Sequence, residues 1–445
     1  MLSQAKREND SRIQMEKFGL EAIPNELKKT SFFEYFILQL AFSVNSGNFL
    51  VPALAVLTGG LSFYAAILST VLGVAAAFLL VSLLSLPGAN NGLPAQYAIR
   101  SILGTNVARF IASPIRTITS LYWFCVQTIG GTIVFIELIH EITGLKFSFT
   151  PIAMIFAVIM GLLALYGFET VKKAVKWFLP VLITGQIVLL IFFIRYQSTN
   201  ETLTSLSNQD WNYQNFFLFA SIAFVQYVSG VSASSDMARY AKSAKIAFWG
   251  LFTGNTFGFF MTALLAAFSA SLLGEWNPFV GAVAISHSIP FTALILLCSM
   301  VSMISINMNN AYTGGFSLLN TFHGIGRIKS SIIFGLAAVG LSLFPVLIEE
   351  AQTFISYLGA FIIPVSAVIV IDFLYIQKAS LSEELLSRVL NNRYPINFYA
   401  LWAMLIGSII YLIFPKNASP GFVSFFVTGL VYFCIHIIGK RKKRL

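Results

Sequence analysis

Long apolar runs recur along this chain with little between them. Twelve stretches, 34–57, 62–87, 109–140, 148–167, 171–195, 213–234, 245–273, 289–320, 330–347, 351–376, 396–414 and 419–439, are rich enough in Leu, Ile, Val, Phe and Ala to be read as bilayer-crossing helices. Crossing the hydrocarbon takes about 20 such residues in an α-helix. Outside them lie short connections, a charged N-terminal tail, 1–33, and a basic C-terminal one, 440–445. The pattern predicts an all-α polytopic membrane protein with no room for an extramembrane domain, so any function sits among the helices. An even number of crossings puts both termini on one side. The first 33 residues have no apolar core of the signal-peptide kind and read as a tail.

Two of the runs are interrupted. The first carries Asn45, Ser46, Gly47, Asn48 and Pro52 at mid-membrane depth, and the sixth carries Gln226, Ser229, Gly230, Ser232, Ser234 and Ser235. A lone Gly or Ser in a membrane helix serves close packing, but clusters this dense predict unwound segments. Breaks in corresponding helices of two halves, here five helices apart, point to an inverted-repeat secondary transporter that holds substrate and ion at the breaks. The competing reading is a pair of unbroken helices with small residues at their contacts.

Two more helices bring polar groups to the same depth. In the third, Trp123 and Gln127 stand at i and i+4 on one face, with Gly130 and Gly131 a turn further on. An indole offers a flat apolar platform and the amide a donor and an acceptor, a pairing suited to a planar heterocycle. The eighth carries Ser302, Ser305, Asn307, Asn309, Asn310 and Tyr312 within eleven residues, of which Ser302, Ser305, Asn309 and Tyr312 share a face. Such polar density is costly in a span unless it lines a cavity or binds an ion.

Composition and charge sharpen this picture. Of 445 residues, 57% are hydrophobic and 10% charged, against about 25% charged in soluble domains. A water-soluble enzyme and a disordered regulator are excluded. The net charge of +10 is a topology signal rather than a nucleic-acid patch: 25 of the 28 Lys and Arg fall on one side of the twelve-span layout, leaving Lys146, Arg195 and Lys416 on the other. Cytoplasmic loops hold the basic residues, so both termini are assigned to the cytoplasm of a multi-pass plasma-membrane protein, and the terminal KRKKR reads as an anchor touching anionic lipid. No Lys, Arg, Asp or Glu occupies the middle of the four polar helices, which predicts a neutral, hydrogen-bonding site. Cys125, Cys298 and Cys434 lie in apolar runs and read as buried thiols. The histidines His140, His287, His323 and His436 are scattered, and no metal-ligand spacing supports an enzyme.

Several segments resemble the nucleobase:cation symporter-1 family of cytosine, uracil, allantoin and hydantoin permeases. PGANNGLPAQYAIRSILGTNVAR, between helices two and three, is similar to the family's G-x-x-x-G-L stretch with its following arginines and leads into WFxxQ. SDMARYAKSAK after helix six resembles its D-x-x-R-Y/F sequence, and VIVIDFLYIQK, around Asp372, its motif at the end of helix ten. The resemblance implies a leucine-transporter-type fold: five-helix repeats at 34–195 and 213–376, then two added helices at 396–439. It implies that Trp123 stacks on the substrate ring, that Gln127 hydrogen-bonds it, and that Tyr227 closes the other face, flanked by Gln226 and Ser229. Asn48, Asn309 and Asn310 complete the expected substrate set, with Asn307 beside it and the Asn that meets substrate left open. Sodium-dependent members have two adjacent hydroxyls on helix eight where this chain has Ser305 and Ile306. A sodium site near Ser43, Ser46, Ser302 and Ser305 therefore competes with proton coupling through Asp236 or Asp372. The expectation is a symporter importing a small neutral planar nitrogen heterocycle, with no cofactor beyond Na+ or H+. Its expected partners are that substrate and the lipid bilayer, with no nucleic acid and no obligate protein partner. The alternatives are an amino-acid:cation symporter of the same fold and, further off, a channel or a membrane-embedded enzyme.

Overall fold

In the computed structural model the predicted runs are mainly helical over their described residues. The structure describes residues 22–163, 165, 168–199, 211–286, 288–390 and 394–442. The tail before residue 22, the last three residues, His287 and Arg393 lie outside the described residues. In chain order the helices are one (Phe32–Ser43 and Leu50–Leu57), two (Phe63–Leu83), three (Thr105–Thr143), four (Phe149–Leu163), five (Phe168–Thr199) and six (Tyr213–Val228 and Ser234–Ala238). Then come seven (Ala244–Leu273), eight (Ile289–Thr321), nine (Gly326–Leu341), ten (Ala351–Ile371), eleven (Phe398–Ile413) and twelve (Pro420–Lys442). Among the described residues, nine helical stretches are long and apolar enough to cross a bilayer, helix one adds a bent pair, and four and eleven are shorter apolar helices. Large side chains such as Phe426, Leu336 and Phe361 face outward, where lipid solvates them.

Helices one and seven pack together, as do six and two, while two meets seven, three meets eight and four meets nine. Exchanging each helix with the one five places on leaves this set of contacts unchanged. Glycine makes the tightest of them. On helix seven Gly250, Gly254 and Gly258 form a stripe against helix one, where a Cβ on Gly254 would lie 2.6 Å from the Phe36 carbonyl oxygen. On helix two a Cβ on Gly73 would lie 2.0 Å from the Ala220 carbonyl oxygen of helix six. Small residues let membrane helices approach backbone to backbone.

Helix one starts on a capping box: the Ser31 N–H donates to the Glu34 carboxylate at 2.9 Å and the Glu34 N–H to the Ser31 hydroxyl at 3.4 Å. The same carboxylate pairs with Lys176 at 3.0 Å and Lys172 at 3.7 Å on helix five. The motif between helices two and three forms short helices, Leu86–Asn91 and Ala95–Leu103, turned about Gly92 at φ 68°. It seats the second segment of helix six: the Ala95 N–H donates to Asp236 Oδ1 at 2.9 Å and the Gly88 N–H to the Ser235 hydroxyl at 3.2 Å. Asp372 is buried at the end of helix ten, accepting from the Tyr432 hydroxyl, and Tyr432 accepts in turn from Asn397 at 3.0 Å, which joins helices eleven and twelve to helix ten. Cys125 and Cys298 are buried as expected, whereas Cys434 is exposed, because it lies on the outward face of helix twelve.

Candidate functional site

The two interruptions are true breaks. Helix one stops at Ser43, passes through extended backbone at Asn45 (φ −151°, ψ 159°) and a 3-10 turn at Ser46–Phe49, and resumes bent by 67°. Helix six stops at Val228 and continues through a 3-10 turn, Ser229–Ser232, into Ser234–Ala238. Backbone groups freed inside a membrane need partners, and side chains supply them. Asn45 Nδ2 donates to the Phe42 carbonyl at 2.6 Å, Asn48 Nδ2 to that of Ser43 at 2.7 Å, and the Ser302 hydroxyl to that of Val44 at 3.1 Å. Thr262 of helix seven also donates to the Ser43 carbonyl, at 3.0 Å. At helix six the Ser232 hydroxyl donates to the Ser229 carbonyl at 2.7 Å.

Gln127 completes the first break. Its Oε1 accepts from the Gly47 N–H at 2.9 Å and its Nε2 donates to Asn45 Oδ1. The approach needs glycine: a Cβ on residue 47 would lie 2.3 Å from Gln127 Nε2. The breaks also touch each other, since Gln226 Nε2 donates to Asn48 Oδ1 at 3.2 Å.

Between the breaks lies a cavity of about 140 Å³, and Trp123, Gln127, Gln226, Tyr227, Ser229, Asn48, Asn309 and Asn310 all line it. Trp123 projects from helix three. Tyr227 is held by Phe78 of helix two and Phe259 of helix seven, with ring centroids 4.6 and 5.5 Å away. Two buried carbonyl oxygens of this lining, Gln226 Oε1 and Asn309 Oδ1, accept no hydrogen bond. Asn307 turns away: its Nδ2 donates to the Phe124 carbonyl at 3.0 Å and to the Thr128 hydroxyl at 3.1 Å, tying helix eight to helix three.

The expectation of an uncharged site fails. Arg116 lines the cavity, its Nη1 donating to the Ser229 hydroxyl at 3.1 Å and its Nη2 to that of Thr313 at 3.2 Å. Helix three begins at Thr105, so Arg116 is already three turns inside the helix. Helical side chains slant toward their own N-terminus, but this one lies along the protein interior instead of reaching the basic surface. Sequence reading also passed over Asn255 of helix seven, which accepts from the Ser43 hydroxyl at 3.0 Å; the signal was a solitary Asn in an apolar run.

Of the four serines expected around a cation, Ser43 is thus engaged by Asn255 and Ser302 by the Val44 carbonyl. The buried hydroxyls of Ser46 and Ser305 have no hydrogen-bond partner. Oxygens alone, with no nitrogen or sulfur among them, are the donor set that hard cations take. Asp236 is fully buried: Oδ2 accepts no hydrogen bond, and the charges of Arg239, Arg116 and Arg327 act on it.

Comparison with known proteins bears on what this geometry serves. Residues 22–437 match the family described as permeases for cytosine/purines, uracil, thiamine and allantoin. The hydantoin permease of Microbacterium maritypicum is 23% identical over 298 residues, 60% of this chain and 58% of that protein's own length. The allantoin permease of Bacillus subtilis is 26% identical over 399 residues, 79% of this chain and 78% of the relative. Among solved structures, a nucleobase-cation-symport-1 family transporter in a closed conformation with bromovinylhydantoin bound superposes with a TM-score of 0.78 at 18% identity, covering 93% of each chain. At that identity the likeness is one of fold, and the fold is the leucine-transporter type that the family resemblance implied.

Proposed function

The chain belongs to the family of permeases for cytosine/purines, uracil, thiamine and allantoin, and from that premise we propose that it is a secondary active importer of a small planar nitrogen heterocycle. Nucleobases come first, then hydantoin, allantoin and pyrimidine precursors. The observation that carries the reading is the cavity between the breaks, bordered by Trp123 and Tyr227 and holding the unspent acceptors of Gln226 and Asn309. Its 140 Å³ matches one ring, since a cavity of about 150 Å³ takes benzene. Ring N–H groups would meet the two free carbonyl oxygens while the ring faces stack on the aromatic walls. Each hydrogen bond contributes about 0.5–1.5 kcal/mol net.

Helices one to five and six to ten form the two repeats in this reading, with eleven and twelve added and both termini cytoplasmic. Alternating access rocks one helical bundle against the other about the cavity, and the Asn48 to Gln226 bond links the two breaks through the motion. The cation would be held by Ser46, Ser305, Ser302 and the Val44 carbonyl, where it would supply positive charge beside the substrate. Proton coupling through Asp236 is the second reading, favoured by its free carboxylate oxygen.

The test is thermal unfolding of the purified protein with uracil, cytosine, hydantoin, allantoin and L-amino acids, each with and without sodium. A ligand at 100 times its Kd stabilises the native state by about 2.7 kcal/mol. A heterocycle should raise the transition, more so in sodium if sodium is the coupling ion. A shift by amino acids alone would replace this reading with that of an amino-acid symporter.

A further inference from the structure

The cavity holds a hydrogen-bond donor as well as its two free acceptors. Arg116 bridges helices six and eight, Nη1 donating to the Ser229 hydroxyl at 3.1 Å and Nη2 to that of Thr313 at 3.2 Å. Each hydroxyl lies about one turn from one of the free carbonyl oxygens. Ser229 follows Gln226 by three residues on helix six, and Thr313 follows Asn309 by four on helix eight. All five residues line the cavity. The Thr313 hydroxyl donates to the Asn309 backbone carbonyl at 3.0 Å, which leaves its lone pairs for the guanidinium. A guanidinium carries five N–H groups and no acceptor; two of them are used in these bonds, and the Nε–H is buried with no partner. The wall is therefore ordered acceptor, donor, acceptor: Gln226 Oε1 from helix six, the Arg116 N–H groups in the middle, and Asn309 Oδ1 from helix eight.

We propose that Arg116 determines specificity and that the substrate is a neutral cyclic ureide, a ring that carries N–H, C=O and N–H in succession. Its carbonyl oxygen accepts from Arg116, the flanking N–H groups donate to Gln226 and Asn309, and its faces lie on Trp123 and Tyr227. The inference deepens the heterocycle reading and rests on it. No charge on the ligand is needed, because a neutral carbonyl already makes a strengthened hydrogen bond to a charged donor. The same order rejects other rings of equal size. In cytosine one nitrogen beside the ring carbonyl has no hydrogen, so an acceptor would face an acceptor. In 2-thiouracil both N–H groups remain but sulfur, a weak acceptor, replaces the oxygen. Leaving a buried polar group unpaired is how a site discriminates against the analogue that lacks its partner.

Uracil, cytosine and 2-thiouracil separate the possibilities by competition binding to the purified full-length protein in sodium, in a buffer where all three rings are neutral. Uracil should bind at least about tenfold tighter than either of the others. In Arg116→Met the ratio of uracil to 2-thiouracil affinity should fall to about one while the preference over cytosine persists, since both acceptors remain. In Arg116→Lys both ratios should stay above one. The ligand series on the unaltered protein decides the matter even if the variants fail to fold. Cytosine or 2-thiouracil binding as tightly as uracil overturns the inference while leaving the heterocycle reading intact. An unchanged ratio of uracil to 2-thiouracil in Arg116→Met overturns it as well. If none of the three rings binds, and hydantoin and allantoin fail too, the heterocycle reading falls and the inference with it.

Discussion

Gln127→Ala is expected to reduce uptake at least a hundredfold while the protein still reaches the membrane. The amide does two things at once: it accepts from the Gly47 N–H and donates to Asn45 Oδ1, both at the break of helix one. Truncation leaves a buried backbone donor unmet, which costs about 1–3 kcal/mol, and frees Asn45, the residue that caps the 3-10 turn through the Asn48 N–H at 3.0 Å. The break then loses the shape on which the cavity depends. Gln127→Glu keeps the acceptor and loses the donor, so it should fall between the two. Trp123→Ala should abolish uptake by another route, removing the ring platform and leaving the break intact. Radiolabelled uptake, normalised to the amount of protein in the membrane, reads all three. Wild-type rates in both alanine variants would refute the site.

Gly73→Val is expected to have the largest effect on folding. The new Cβ would meet the Ala220 carbonyl oxygen at 2.0 Å, and that oxygen belongs to helix backbone that cannot rotate away. Helices two and six must part, at a cost toward or beyond the upper end of the roughly 1–3 kcal/mol typical of overpacking. The purified variant should unfold well below the wild-type temperature or fail to accumulate. Gly340→Ala is the control, since a Cβ there meets nothing within 4 Å and Ala favours a helix interior by up to about 1 kcal/mol. An unaltered transition in Gly73→Val would mean that helices two and six do not pack as described.

The parts of this site that could be read from sequence are those where a residue contradicts its surroundings. Asn45 to Asn48 and Gln226 to Ser235 stand out because apolar helices do not carry such clusters, and both prove to be breaks. Trp123 and Gln127 were found by helical spacing. Arg116 was missed because the charge asymmetry that orients the protein had already accounted for it; a basic residue near a helix start satisfies that rule whether it faces water or a cavity. The choice among Asn307, Asn309 and Asn310 depends on the rotation of helix eight about its axis. Spacing alone leaves that undetermined until Phe124, Thr128 and Met160 are seen to surround Asn307. The partners of Ser43 were hidden for a related reason: Asn255 and Thr262 are two of several scattered polar residues on helix seven, and only the helix-one contact reveals their purpose.

Asn45, Asn48, Gln127, Thr262 and Ser302 brace the backbone of the helix-one break with the protein's own hydrogen bonds and leave only the Ser46 hydroxyl among its buried side-chain groups without a partner. In the transport reading proposed above, a break braced by the protein's own side chains would let the carrier reorient without an exchange partner. That is what separates net accumulation from one-for-one exchange, because an obligatory exchanger turns over only when loaded in both directions. Vesicles with an empty lumen should therefore fill, and filling that needs preloaded substrate inside would show that the empty form does not return.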